Sequence, residues 1–133
     1  MPYWKLFYHL IWATKDRAIF IHADVESVIL SSYKVTAVDA GFVLRSVGFM
    51  PDHCHLVVSI PPSLAISEAV KRLKGASSHG VRERVNPTFS WQPDYGVLSF
   101  SERDLDSVKT YVENQKDIHQ RRATRIALER MTP

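Results

Sequence analysis

The chain has 133 residues, of which 45% are hydrophobic and 23% charged, a composition typical of one soluble globular domain. A single cysteine excludes an internal disulfide and suits a reducing compartment. No apolar run reaches the length of a membrane span, and the N-terminus does not resemble a signal peptide. These features predict a cytoplasmic protein. The formal net charge of +3 permits a polyanion as partner without requiring one.

The first predicted element is a strand, because residues 4–14 alternate and are rich in aromatic and β-branched side chains. Alternation places Leu10 and Trp12 on one face and Ile11 on the other. Both faces are apolar, so we expect the strand to be covered on both sides. His9 lies on the second face, and we interpret it as a packed core histidine rather than a catalytic one.

A helix is predicted next, beginning at Asp24 as its N-cap and ending before Gly41, which stands at the position of a C′ glycine. Residues 42–49 form a second predicted strand, and the turn at residues 50–52 joins it to a third strand as a hairpin. The apolar stripe of the helix consists of Val25, Val28, Ile29, Ser32 and Thr36, with Val35 and Val38 flanking it.

The third predicted strand, residues 53–60, carries two histidines on one face. Cys54 and Leu56 share the opposite, apolar face, which must lie on the core side. Cα atoms two residues apart on a strand are separated by roughly 6–7 Å, so ring nitrogens of His53 and His55 can converge on one metal ion. For an isolated His-x-His pattern, two surface histidines would be the favoured interpretation.

A second helix is predicted from Ser63, and after Gly75 its pattern weakens until Asn86 and Pro87 end it. Its apolar stripe is formed by Ile66, Ala69, Val70 and Leu73, and its outer side is basic, with Lys71, Arg72 and Lys74. The weaker segment at 76–85 carries Arg82 and Arg84. A loop rich in aromatic residues follows at 89–95 and contains Trp91 and Tyr95.

The last helix is predicted to run from about Asp104 towards Glu129, after a short strand at residues 96–101. Its apolar stripe of Leu105, Val108 and Val112 continues at the same spacing into Gln115 and His119, so the helix directs polar groups inward. Tyr111 lies four residues before Gln115, which makes the two side chains neighbours on the helix surface.

The order of these elements predicts a single α+β domain over residues 1–133, with a ferredoxin-like antiparallel sheet. Two helices would cover one face of the sheet. An additional C-terminal helix would carry Tyr111 to the histidine face, where Tyr111 Oη and Gln115 Oε1 could surround a metal ion held by His53 and His55.

A tyrosine beside a metal ion could act as a nucleophile. A phenol has a pKa near 10, so its use at neutral pH requires offsetting roughly 4 kcal/mol. A divalent cation can supply this by polarising a phosphodiester, and the candidates are Mg²⁺ and Mn²⁺, of which Mn²⁺ accepts imidazole more readily. The sequence has no glycine-rich phosphate loop, so no nucleotide cofactor is expected.

Four segments stand in a specific order: 50–56 (MPDHCHL), 67–75 (SEAVKRLKG), 91–96 (WQPDYG) and 111–115 (YVENQ). With them the chain resembles the small single-tyrosine HUH transposases of compact bacterial insertion sequences. The resemblance implies attack by Tyr111 on single-stranded DNA, a 5′-phosphotyrosine link, and a metal held by His53, His55 and Gln115. It also implies a homodimer that recognises DNA hairpins at the element ends. Tyr111 could act in the site of its own chain or in that of the partner chain, and the resemblance favours the partner.

In that context the basic residues of the second helix, with Arg82 and Arg84, could line a DNA groove, and Trp91 and Tyr95 could stack on bases. A solvated face is an equal alternative for the cations, and a core position is favoured for Trp91. Three other functions stay open: a domesticated nuclease acting on dispersed repeats, a non-catalytic domain that binds single strands, and a metal-dependent hydrolase in which water attacks.

Overall fold

The structure, a computed structural model, describes residues 3–115. Four strands form one sheet in the order β2-β3-β1-β4, and all neighbouring strands are antiparallel. This is the ferredoxin-like arrangement that the order of elements predicts. The elements are β1 Phe7–Ala13, α1 Ala23–Ala40, β2 Val43–Met50, β3 His53–Ser59, α2 Ile66–Arg84, β4 Gly96–Phe100 and α3 Leu105–Glu113, with short 3-10 turns at Lys15–Arg17 and Glu102–Asp104.

The hydrophobic core lies between one face of the sheet and the helices α1 and α2. Alternate residues of β1 and β3 enter it, as predicted, with Leu10, Trp12, Cys54 and Leu56 all fully buried. Tyr33 of α1 reaches into the same core, where its hydroxyl accepts a hydrogen bond of 3.1 Å from Trp12 Nε1. A buried indole and phenol thus satisfy each other, which removes the cost of an unpaired polar group.

Several predicted boundaries are wrong by a few residues. β1 begins at Phe7 and not at residue 4, because its partners in β3 and β4 end at that level. α1 begins at Ala23 with His22 at the N-cap, and Asp24 lies in the first turn. Its inward stripe includes Tyr33 and Ala37, whereas Val35 and Val38 are exposed.

α2 is one uninterrupted helix and begins at Ile66, three residues later than predicted. It continues through Gly75 to Arg84, since the part beyond Gly75 also packs inward through buried Ser77 and Val81. None of the helices among residues 3–115 has the length and apolar content that a membrane crossing requires.

The other face of the sheet is covered by α3, which contacts β2 and β3. Gly48 of β2 makes this possible, because a Cβ atom at this position would lie 1.8 Å from the carbonyl oxygen of Val112. The predicted continuation of α3 towards Glu129, including His119, lies outside the described residues.

Candidate active site

The two histidines of β3 lie beneath α3, on the face of the sheet opposite the hydrophobic core. Their exposed fractions are 2% for His53 and 0% for His55, so the interpretation as surface histidines is wrong. Their ring centroids are 5.1 Å apart, and the rings are inclined at 68°. Two imidazoles therefore lie side by side in a site from which most solvent is excluded.

The Nδ1 atom of each histidine is held by a neighbour. His53 Nδ1 lies 2.7 Å from Asp52 Oδ1, and Asp52 in turn accepts a hydrogen bond of 3.0 Å from Arg17 Nε. His55 Nδ1 shares a hydrogen bond of 2.9 Å with His9 Nε2. A metal ion would accordingly be bound through the Nε2 atom of each ring, as is usual when a partner fixes the other nitrogen.

Asp52 remains ionised beside His53. Burial acts to raise the pKa of its carboxyl group, but the hydrogen bond from His53 and the charges of His53 and Arg17 outweigh burial and lower the pKa below its ordinary value. An ionised carboxylate can only accept hydrogen bonds, so it keeps a proton on His53 Nδ1.

The helix α3 brings Tyr111 to His55, and Gln115 follows two residues after the end of the helix. The Tyr111 ring is edge-on to His55, with centroids 6.0 Å apart, and also to His9, at 6.1 Å. Val112, between the two polar residues, is fully buried and anchors the helix on the sheet. Tyr111 thus lies beside the histidines of its own chain.

Gln115 carries a buried acceptor atom that could serve a metal ion. Its Nε2 donates a hydrogen bond of 2.8 Å to the backbone oxygen of Tyr111, which fixes the orientation of the amide because a carbonyl oxygen can only accept. Its Oε1 is buried and has no hydrogen-bond partner within residues 3–115. A buried acceptor left in this state costs about 1–3 kcal/mol, and a cation bound there would recover that cost.

The donor atoms fit a divalent metal ion. Two imidazole nitrogens and one amide oxygen form a set that Mn²⁺ accepts readily and that Mg²⁺ accepts with water ligands. Within the described part of the chain, no three or more histidine, cysteine, aspartate or glutamate side chains are arranged to hold a metal. The candidate ligands His53, His55 and Gln115 do not form such a group, because the third of them is a glutamine.

His9 is the site residue that the sequence prediction missed. It is packed and buried, as predicted, but it lies outside the hydrophobic core, on the site face, where it contacts both His55 and Tyr111. Alternation in β1 already separates His9 from Leu10 and Trp12. The missing information was the register, in which Ile11 pairs with His55 and His9 with Val57.

Comparison with known proteins identifies the family. Residues 2–115 match the family described as "Transposase IS200 like". The chain belongs to the IS200-like transposases. The matched range includes His53, His55, Tyr111 and Gln115. The ISDra2 transposase TnpA of Deinococcus radiodurans is 32% identical over 121 residues, which cover 86% of each protein.

Two solved structures are similar to this transposase. A crystal structure of a candidate transposase from Deinococcus radiodurans superposes with a TM-score of 0.70 at 34% identity, over 86% of this chain and 93% of that one. A REP-associated tyrosine transposase, solved bound to a REP hairpin, superposes with a TM-score of 0.69 at 16% identity, over 90% of this chain and 72% of that one. The second likeness concerns the fold alone.

The residues predicted to contact DNA lie on the other side of the transposase, on and around the outer side of α2. A cavity of about 420 Å³ between α2 and the loop at 89–95 brings four of them together: Lys71, Lys74, Trp91 and Tyr95. Arg82 and Arg84 are exposed at the end of α2, beyond this cavity. Arg72 is exposed and pairs with Glu68 at 2.9 Å.

Two members of this group have structural roles. Lys74 is half-buried, and its Nζ donates hydrogen bonds to the backbone oxygens of Gln92 and Asp94, at 2.5 and 3.0 Å, which holds the loop against α2. Trp91 is 8% exposed, packs edge-on against Trp12 and donates a hydrogen bond of 2.9 Å to Ser77 Oγ. The core position favoured for Trp91 is the observed one, and its ring faces are not open to a base.

Proposed function

We propose that this transposase cleaves and rejoins single-stranded DNA, with Tyr111 as the nucleophile and with a divalent metal ion held by His53, His55 and Gln115. The observation that carries the proposal is the convergence of two elements distant in sequence. Tyr111 of α3 lies beside His55 of β3, and Gln115, two residues beyond the end of α3, carries a buried Oε1 that has no hydrogen-bond partner within residues 3–115. A domain that only bound single strands would have no need to bury this set of polar groups together.

The metal would be Mg²⁺ or Mn²⁺, bound through the Nε2 atoms of His53 and His55 and through Gln115 Oε1. All three donors are neutral, so they leave the charge of the cation undiminished for a phosphate oxygen. When bound, the cation polarises the phosphodiester and favours anionic oxygens nearby.

Tyr111 supplies the covalent chemistry. Its Oη forms a bond to the phosphorus atom while the bond from phosphorus to the 3′ oxygen breaks. The phenol proton goes to solvent, and the 3′ oxygen leaves as a hydroxyl group after taking up a proton. The product is a 5′-phosphotyrosine, which retains a phosphodiester linkage, so a 3′-hydroxyl can later reverse the step without a nucleotide cofactor.

The DNA substrate is proposed to be a hairpin with adjoining single strand at the element ends, bound by a homodimer. The REP-associated relative binds a REP hairpin, which supports this substrate class. Exposed cations on α2, such as Lys71 and Arg84, would contact phosphates. The 32% identity with the ISDra2 transposase favours a mobile element over a domesticated nuclease, and terminal hairpins beside the gene would decide between them.

Covalent trapping tests this function. The protein is incubated with single-stranded DNA from the flanks of its gene, in Mg²⁺ or Mn²⁺, with the label at either end. Tyrosine attack predicts that 3′-labelled DNA comigrates with the protein in a denaturing gel, while 5′-labelled DNA yields a shorter, protein-free fragment. Tyr111→Phe should abolish the adduct, and His53→Ala should do the same without changing DNA binding in EDTA. Continued cleavage by Tyr111→Phe would instead indicate attack by water.

A further inference from the structure

We propose that His9 is a positioning residue whose Nε2 accepts a hydrogen bond from the Nδ1–H group of His55 and so holds His55 in the tautomer that can bind a metal. The inference rests on the metal site of the proposed function and adds to it a residue outside the set of ligands. Its basis is the hydrogen bond of 2.9 Å between His9 Nε2 and His55 Nδ1.

The direction of this hydrogen bond decides whether His55 can act as a ligand. A neutral imidazole carries one proton, on either Nδ1 or Nε2. If His9 donated to His55 Nδ1, the proton of neutral His55 would lie on Nε2, where it would block coordination. Binding through His55 Nε2 therefore requires His55 to donate from Nδ1 and His9 to accept at Nε2, with the proton of His9 on its own Nδ1.

The surroundings keep His9 in place for this role. The residue lies in β1, the strand between β3 and β4, where it pairs with Val57 on one side and Leu98 on the other. The rings of His9 and His55 have centroids 5.1 Å apart and are inclined at 34°. Burial leaves little water to compete for the hydrogen bond, since the two histidines are 2% and 0% exposed.

The two ligand histidines consequently have partners of different chemistry. The hydrogen-bond acceptor for His53 is the anionic carboxylate of Asp52, whereas the acceptor for His55 is the neutral imidazole of His9. A second carboxylate in the position of His9 would add a negative charge beside the site. The neutral acceptor fixes the tautomer of His55 without reducing the attraction of the site for phosphate.

Metal affinity measured without DNA tests the role of His9. Mn²⁺ binding is followed by the electron paramagnetic resonance signal of the unbound ion, for the wild type, His9→Leu and His9→Gln. Loss of such a partner typically weakens metal binding 10- to 100-fold, so we expect His9→Leu to raise the dissociation constant within that range. His9→Gln carries an acceptor oxygen at a similar reach and should recover most of the affinity. Thermal unfolding in EDTA checks that both variants fold.

A spectroscopic measurement on the wild type keeps the test independent of how the variants fold. Long-range ¹H–¹⁵N correlation spectra in saturating Mg²⁺ should show His55 protonated at Nδ1 and His9 accepting at Nε2. Wild-type affinity in His9→Leu, or His55 protonated at Nε2, would overturn the inference while leaving the metal site intact. Equal Mn²⁺ binding by the wild type and by a His53→Ala, His55→Ala variant would overturn the metal site and the inference together.

Discussion

Replacing Gly48 with alanine should strongly slow the transposase by displacing α3 from the histidines. Gly48 pairs with His55 in the sheet, and α3 crosses it so closely that an added Cβ would lie 1.8 Å from the Val112 carbonyl oxygen. Real Cβ atoms essentially never approach closer than 3.0 Å, so α3 and β2 must move apart by about 1.2 Å, the difference between the two distances. Because the clash is with the backbone, no change of the Val112 side chain can relieve it.

The displacement reaches the chemistry because Tyr111 and Gln115 lie on either side of Val112. A misplacement of about 1 Å can cost roughly 100-fold in rate, and we expect a loss of that order in phosphotyrosine formation. Overpacking of this kind costs about 1–3 kcal/mol of stability. The core on the other face of the sheet is not touched, so the fold should persist with a lowered melting temperature.

The assay compares the single-turnover rate of adduct formation with thermal unfolding and with hairpin binding in EDTA. Gly75→Ala is the matched control, since nothing lies within 4 Å of an added Cβ there. Alanine in place of glycine inside a helix should add about 0.5–1 kcal/mol of stability, and adduct formation should stay at the wild-type rate. A Gly48→Ala protein that forms the adduct as fast as the wild type would refute the packing of α3 as the determinant of the site.

Three further outcomes are expected. Burial raises the pKa of the Cys54 thiol to about 12, so at pH 8 it is protonated and should resist iodoacetamide in the native protein but react after unfolding; rapid native alkylation would contradict this. Gln115→Leu should weaken both Mn²⁺ binding and adduct formation, whereas Gln115→Glu retains a ligand oxygen and should keep Mn²⁺ binding. Equal Mn²⁺ affinities of Gln115→Leu and the wild type would show that Gln115 is not a metal ligand. Hairpin binding should exceed binding to plain duplex and fall steeply with salt, and Lys71→Ala should lessen the salt slope by about one counterion in a fluorescence titration.

The faces of the strands and of α3 were predictable from sequence because they depend only on local periodicity. Alternation assigned His53 and His55 to the side opposite Cys54 and Leu56. The 3.6-residue period placed Gln115 in line with Val112 and beside Tyr111. These arguments need no knowledge of what packs against each element.

The features that were missed depend on pairing between distant segments. His9 joins the site only through the register of β1 with β3, which no pattern within β1 reveals. α2 continues past Gly75 because that part also packs inward, and its buried Ser77 and Ser78 donate hydrogen bonds from their hydroxyls to backbone oxygens of their own helix, at 3.2 Å each. Two polar residues on an inward face concealed the helical periodicity there.

The separation of the site from the cations of α2 bears on the distance between a bound DNA hairpin and the phosphate that is cleaved. The histidines lie on one face of the sheet, whereas α2 lies on the other. A strand held on α2 as proposed must pass around the sheet, either past an edge strand, β2 or β4, or past the ends of the strands, to reach Tyr111. The thickness of the domain would then act as a ruler that fixes the number of nucleotides between the foot of a bound hairpin and the cleaved phosphate.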